Sequence, residues 1–232
     1  MNKNIALMKE NVDYEWVELP SKGQCYPHKK NKCPIAYLTT KEENIISLRI
    51  PNLLDRLLES TILDSDFIIE DLCVGDKSAL IIWLRKTSYG SILFNPTTNK
   101  SYDLNDLSYK EFNLVGDKDG YFEFKNLYGD TYKFRLLKHK DEIELMNEIA
   151  NLSDDKLTDT VVDLFLLKST MAINENTDRL FIEKHLKEQK REVKSIYFDY
   201  ILTNTPNFKT FPLNISSIDD TLFTNINLYT IK

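Results

Sequence analysis

The sequence predicts an α+β fold: helices flanking a small antiparallel β-sheet made of two hairpins, then a helical C-terminal region and an extended C-terminal arm. Three observations lead there. Up to Gly90 the apolar residues recur at helical spacing. After Gly90 the period changes to two, and two pairs of alternating segments each flank a turn sequence. From Lys140 onward the helical spacing returns. The 232 residues divide accordingly into an N-terminal arm over 1–15, an α+β domain over 16–139 with its hairpins at about 91–137, a helical region over 140–203 and an arm over 204–232.

Taken in order, the first dozen residues carry no firm pattern. "YEWVELPSKG" alternates and then meets Pro20 and Gly23, which reads as a strand running into a turn. "CPIAYLTTKEENIISL" reads as a strand followed by a helix, with Thr40 as N-cap and Glu43 closing a capping box. Leu53, Leu54, Leu57, Leu58 and Ile62 form the stripe of a second helix capped by Asn52. "DSDFIIEDL" is a short helix or turn. "GDKSALIIWLRKTSYG" is a third helix, with Asp76 as its cap, Arg85 and Lys86 at its negative end and Gly90 as a left-handed stop.

"SILFN" and "KSYDL" flank "PTTN" in the first hairpin. "YFEFKN" and "TYKFRLL" flank "LYGD" in the second, with Phe122 and Phe124 sharing a face of the first segment and Tyr132, Phe134 and Leu136 sharing a face of the second. The two hairpins are expected to share one sheet with a single buried face. Beyond them, Ile143, Met146 and Ile149 line one side of a helix, and Leu157, Val161, Leu164 and Phe165 line the next. A long segment from about Asp178 to Leu202 carries Leu186, Val193, Ile196, Tyr197, Tyr200 and Ile201 as one stripe. "NTPNFKTFPLNISSIDDTLFTNINLYTIK" is polar and β-prone, and is read as the extended arm.

Composition narrows the function classes. Hydrophobic residues make up 42%, enough for a core, and the six glycines are too few for a fold built on phosphate-cradling loops. A net charge of −6 speaks against general nucleic-acid binding, which draws its affinity from cation–phosphate contacts. Three cysteines, Cys25, Cys33 and Cys73, read as reduced thiols in a cytosolic setting. "MNKNIALMKENVDYEW" lacks a signal-peptide core and "ALIIWL" is too short to span a bilayer, so a soluble intracellular chain is expected.

The stretch "SKGQCYPHKKNKCP" poses the sharpest chemical question. Cys25, His28 and Cys33 have the look of half a zinc site, but such a site takes four ligands in two close pairs, and the second pair is missing. The stretch therefore reads as a proline-bounded elbow. His28, His139 and His185 each sit among lysines and read as solvent-exposed. Asp64, Asp66, Glu70, Asp71 and Asp76 cluster where helices begin, and capping accounts for them better than acid–base catalysis or Mg²⁺ binding. Neither a nucleophile elbow nor a glycine-rich phosphate loop occurs.

The order of motifs says more than any one of them. "WVELPSKGQCYP", "IAYLTTKEENII", a Leu-rich helix, "IEDLCVGDKSALIIWLRKTSYG", a hairpin ending in "YDLNDL", and "YFEFKN" followed by "YKFRLLKHKDE" succeed one another from about Trp16 to Glu142. This succession resembles the baseplate protein family of T-even-like contractile-tailed bacteriophages, the baseplate hub subunits or hub assembly proteins. Many relatives carry a cysteine knuckle in the hairpin after the glycine. Here Asn95 and Asn99 stand at those places, so the resemblance implies no metal.

What the resemblance implies is a non-enzymatic structural or assembly component of a tail baseplate, without cofactor. Its partners would be other hub or tail proteins, the tape-measure protein among them, with homo-oligomerisation left open and neither membrane nor nucleic acid expected. It would reside in the virion tail baseplate, or in the host cytoplasm during assembly. The expected contact surface is Trp16, Leu19, Pro20, Gly23, Tyr26 and Pro27, together with the tip of the first hairpin. Exposed β-prone segments such as "DYEWVEL" would add strands to a neighbour. The alternative is a nucleic-acid-binding or regulatory adaptor using "EKHLKEQKREVK", 183–194, with five Lys/Arg against three Glu. Its salt-sensitive binding would distinguish it. A hydrolase using the acid cluster would lose activity in Asp71→Asn or Asp76→Asn.

Overall fold

In the computed structural model, residues 12–48, 52–95, 99–150 and 157–206 are described. The N-terminal arm up to 11, the tip 96–98 of the first hairpin and the C-terminal arm from 207 lie outside them. β1 (Tyr14–Glu18) pairs antiparallel with β2 (Lys32–Ala36), with Trp16 opposite Pro34. Pro34 fits because its nitrogen faces away from β1, while its carbonyl accepts the Leu63 amide at 3.0 Å. A bridge from Ile35 to Ile62 continues that side of β2.

α1 (Thr40–Ser47) is capped one residue earlier than the sequence reading placed it. "TTKEE" offers two overlapping capping boxes, and the chain uses Thr39 with Glu42: the Glu42 carboxylate accepts the Thr39 amide at 3.0 Å. Glu42 is the acid that becomes buried, which selects this register. α2 (Leu53–Thr61) buries Leu53, Leu54, Leu57 and Leu58 as its spacing requires. Asn52 precedes it in a left-handed conformation, φ 59°, and makes no side-chain cap. Asparagine tolerates this conformation better than most residues, so its role there is conformational.

α3 (Val74–Tyr89) is the central helix, burying Ala79, Leu80, Ile81, Ile82 and Leu84. Its N-cap is Cys73, so Asp76 lies inside the first turn and is not the cap. Gly90 ends the helix at φ 78°, and its amide returns to Lys86 O at 3.1 Å. Arg85 donates to Gly90 O at 2.5 Å and Ile92 O at 3.1 Å, which fastens the following hairpin to the helix end.

Both expected hairpins form, β3 (Ile92–Asn95) with β4 (Lys100–Asp103), and β5 (Phe122–Lys125) with β6 (Thr131–Phe134). They do not share a sheet. The open side of β6 is taken by β7 (Thr170–Ile173), giving the order β5-β6-β7, while β3-β4 stands as a separate ribbon. The "LYGD" turn is set by Asn126, whose Oδ1 accepts the amides of Tyr128 and Asp130, both at 2.9 Å.

α4 (His139–Ala150) and α5 (Leu157–Ser169) follow. Ile143 and Met146 of α4 are 44% and 55% exposed, and Leu166 and Ser169 of α5 are buried. The expected long helix is two, α6 (Arg179–Glu188) and α7 (Arg191–Asn204). Gln189 and Lys190 are extended between them. The polar run "KEQKRE" offers no apolar side chain to hold a straight rod on the core, and the break lets Leu186, Val193, Tyr197 and Ile201 all be buried. Tyr197 anchors α7 in an aromatic cluster, with its ring centroid 4.6 Å from Tyr132 and 5.0 Å from Phe124. The architecture is α+β, seven helices around small antiparallel sheets among the described residues.

Candidate functional site

The elbow after β1 and the first turn of α3 form the most specific arrangement in the molecule. Leu19 N donates to Asn31 O at 2.9 Å and closes the elbow, while Lys22 N to Leu19 O and Gln24 N to Ser21 O, 2.9 and 3.0 Å, wind the chain between. Gly23 sits at φ +75°, and a β-carbon there would meet Lys30 O at 2.5 Å, so glycine is required on both counts.

Asp76 receives the elbow. Ser21 N donates to its Oδ1 at 2.9 Å, and Ser21 Oγ and Tyr26 OH donate to its Oδ2 at 2.5 and 2.7 Å. Tyr26 OH in turn accepts the Cys73 amide at 3.0 Å. That amide belongs to the helix cap and would otherwise be unpaired. Burial raises the Asp76 carboxyl above its ordinary value, and the donors from Ser21 and Tyr26 work against that rise. Burial and the neighbouring Asp76 push the Tyr26 hydroxyl up.

Other segments lock the same junction. Val74 N to Leu137 O and His139 N to Leu72 O tie the start of α3 to the chain leaving β6. Lys29 Nζ donates to Gln24 O and Gly116 O, both at 3.1 Å. Gly116 and Gly120 pack so closely on the elbow that a β-carbon would lie 2.2 Å from Gln24 O and 2.5 Å from Cys25 O. Gly75 is covered by Pro206, whose carbonyl would lie 2.0 Å from a β-carbon.

The candidate metal residues go separate ways. Cys33 is fully buried, and burial pushes its thiol up. The His28 ring stacks on Tyr26 at 4.9 Å, and its Nδ1 accepts the Lys30 amide. Cys25 and Cys73 meet on a cavity of about 460 Å³ that is also lined by Asp71, Arg135, Lys138 and Lys140. Among the described residues no group of three or more His, Cys, Asp or Glu is placed to hold a metal ion.

The acid cluster is likewise dispersed. Asp64 and Asp66 both take Lys30, at 2.5 Å. Asp71 takes Lys138 and Lys140, at 3.0 and 2.9 Å. Arg135, on the same cavity, is held by Asp141.

The histidines are not the exposed residues that their lysine neighbours imply. His139 is 6% exposed and its Nε2 lies 2.9 Å from Asp55, which also takes Lys77 at 2.5 Å. His185 is partly buried against Tyr132. The signal missed in the sequence was the helical position of His139, one turn ahead of Glu142.

Of the expected contact residues, Trp16 and Pro27 are exposed, while Leu19, Pro20, Gly23 and Tyr26 are buried. Four of the six therefore serve the elbow, and Leu19→Ala would damage the core before it reached any partner. Besides Trp16, other large apolar side chains reach the surface, among them Ile92 and Phe94 on β3, 55% and 49% exposed, and Leu127 and Tyr128 at the second turn, 89% and 65%. The latter pair rims a cavity of about 220 Å³ against Val193 and Ile196 of α7.

The basic segment 183–194 is not one helix, and its cations are engaged. Lys187 pairs with Glu183, Lys184 with Glu188 and Lys194 with Asp163. Lys190 lies over the Tyr128 ring. No helix among the described residues is long and apolar enough to cross a membrane. Comparison of the chain with protein-family models, with curated proteins and with solved structures finds no match.

Proposed function

We propose that the chain is a non-enzymatic structural or assembly component of a bacteriophage tail baseplate, acting through protein–protein contacts at the central hub. The observation that carries this reading is the junction of Ser21 and Tyr26 with Asp76. The "LPSKG" and "VGD" segments, on whose order the family resemblance rests, lie far apart in the sequence yet meet in one buried knot. Their polar residues hold the fold. Asp71, Arg135, Lys138 and Lys140 around the larger cavity are held in ion pairs. What is left for partners is the outside: the aromatic strand β1, the apolar face of β3 and the turn at Leu127. Large exposed apolar side chains grouped on strands and turns are what a contact protein presents.

Deleting the coding sequence from the phage genome tests this. The reading expects normal heads and tail proteins that fail to assemble into baseplates, with assembly restored by supplying the chain in trans. Complete, infectious tails without the chain would refute it.

A further inference from the structure

We infer that the outer edge of β1 accepts an extended strand bearing lysine or arginine side chains from a partner protein. The inference rests on the reading of the chain as a contact protein, but not on which assembly it serves.

The register defines the edge. Tyr37 N donates to Asp13 O and Leu19 N to Asn31 O, so the odd-numbered residues of β1 face β2 with their amides and carbonyls. The even-numbered Tyr14, Trp16 and Glu18 therefore point theirs the other way. Among the described residues no strand pairs on that side, since β1 has only β2 as a neighbour while β2 continues to Ile62. Apart from the half-buried Val17, every residue of β1 is exposed. Proteins guard such edges with bulges, prolines or charged side chains. β1 has no bulge and no proline, and its charges are those of Glu15 and Glu18 alone.

Charge selects the occupant. Asp13, Glu15 and Glu18 are exposed along the strand, and Lys32 is the cation paired with them, on Glu18 at 3.0 Å. A second copy would bring three further carboxylates onto the same short ribbon, and like charges on adjacent strands destabilise pairing. A strand alternating lysine with an apolar residue instead meets Asp13 and Glu15 with its cations on one face and packs on Tyr14 and Trp16 on the other, where those two rings already touch edge to face at 6.4 Å.

The probe is a fluorescein-labelled peptide of alternating lysine and valine, seven residues long, with its glutamate–valine counterpart as comparison. Binding to the full chain is read by fluorescence polarisation. We expect at least tenfold tighter binding of the lysine peptide. Trp16→Pro removes an outward N–H while leaving the β1–β2 ladder whole, and should weaken binding at least tenfold. Trp16→Thr keeps the N–H and should weaken it less than threefold. Protection of the Val17 amide from hydrogen exchange, unchanged in Trp16→Pro, shows that the ladder survives, and Tyr14→Pro repeats the test if it does not.

Equal binding of the two peptides, or undiminished binding by the proline variants, would overturn the inference. So would protected Tyr14 and Trp16 amides in the free chain. Independent of protein concentration, that protection would mean the chain's own residues fill the edge; rising with concentration, it would mean a second copy does. Peptide binding without any association with tail proteins would retire the baseplate reading and leave the edge standing. Tail-protein association that survives Trp16→Pro would do the reverse.

Discussion

Ser21 and Asp76, fifty-five residues apart in the chain, are joined by two direct hydrogen bonds, amide to Oδ1 at 2.9 Å and hydroxyl to Oδ2 at 2.5 Å. This contact converts a loop that resembles half a metal site into a fixed elbow.

Asp76→Ala should be costly. It leaves the Ser21 amide, the Ser21 hydroxyl and the Tyr26 hydroxyl without their acceptor in a buried site. A loss of about 2–4 kcal/mol is expected in urea unfolding, since each stranded buried donor costs about 1–3 kcal/mol and the site will partly relax. Asp76→Asn should cost less, and its deficit should depend on pH. The folded carboxyl lies above its ordinary value of 3.8, so its contribution is full below that value and declines as pH rises through the folded pKa. The asparagine deficit should therefore be larger at pH 3 than at pH 7.

Asp55 behaves in the opposite sense. Burial alone would raise its carboxyl, but hydrogen bonds from His139 and Lys77 outweigh burial and hold it down at about 2. A depressed carboxyl contributes stability that is present above its unfolded value of 3.8 and is lost as pH falls through about 2. Asp55→Asn should flatten the stability profile across that window, by on the order of 1–2 kcal/mol. Thermal melts at pH 2, 3, 4 and 6 measure it.

Gly75→Ala should unsettle the end of α7. The added carbon would lie 2.0 Å from the Pro206 carbonyl, a backbone atom that cannot rotate away. A loss of about 1–3 kcal/mol is expected, as for other overpacked sites. Amide exchange near Asn204 and Thr205 should speed up more than exchange in α2.

Lys184, Lys187 and Lys194 are already paired with carboxylates, so duplex DNA should bind no better than the non-specific range of about 10⁻⁴–10⁻⁶ M at physiological salt. Titration at increasing salt reads both the affinity and its slope. Tighter, steeply salt-dependent binding that is lost on replacing these lysines would revive the adaptor reading.

The fold was largely legible because local patterns carried it. The leucine stripe of α2, the hairpin at "LYGD" and the glycine stop at Gly90 each depend on neighbours in sequence. What escaped depends on partners far away. Thr170–Ile173 has the brevity of a loop, and becomes a strand because β6 offers it an edge. The capping box slid by one residue because burial of Glu42 chose between two equal local options. Asp76 looked like a cap because a first-turn acid usually is one, and only the elbow's approach shows its use. Exposure along the "WVELPSKGQCYP" motif was only partly legible. Trp16 stands outside as alternation requires, whereas Leu19 and Tyr26, on the same motif, turn inward to build the knot.

The central claim is that this molecule acts through its exterior on other tail proteins. The most direct measurement is recovery of the tagged chain from phage-infected cells, with the associated proteins identified and quantified by mass spectrometry. The account predicts tail baseplate proteins in fixed ratio to the chain, reduced at least tenfold by Trp16→Pro while the variant stays folded. Recovery of the chain free of any tail protein, from cells in which baseplates are assembling, would contradict it.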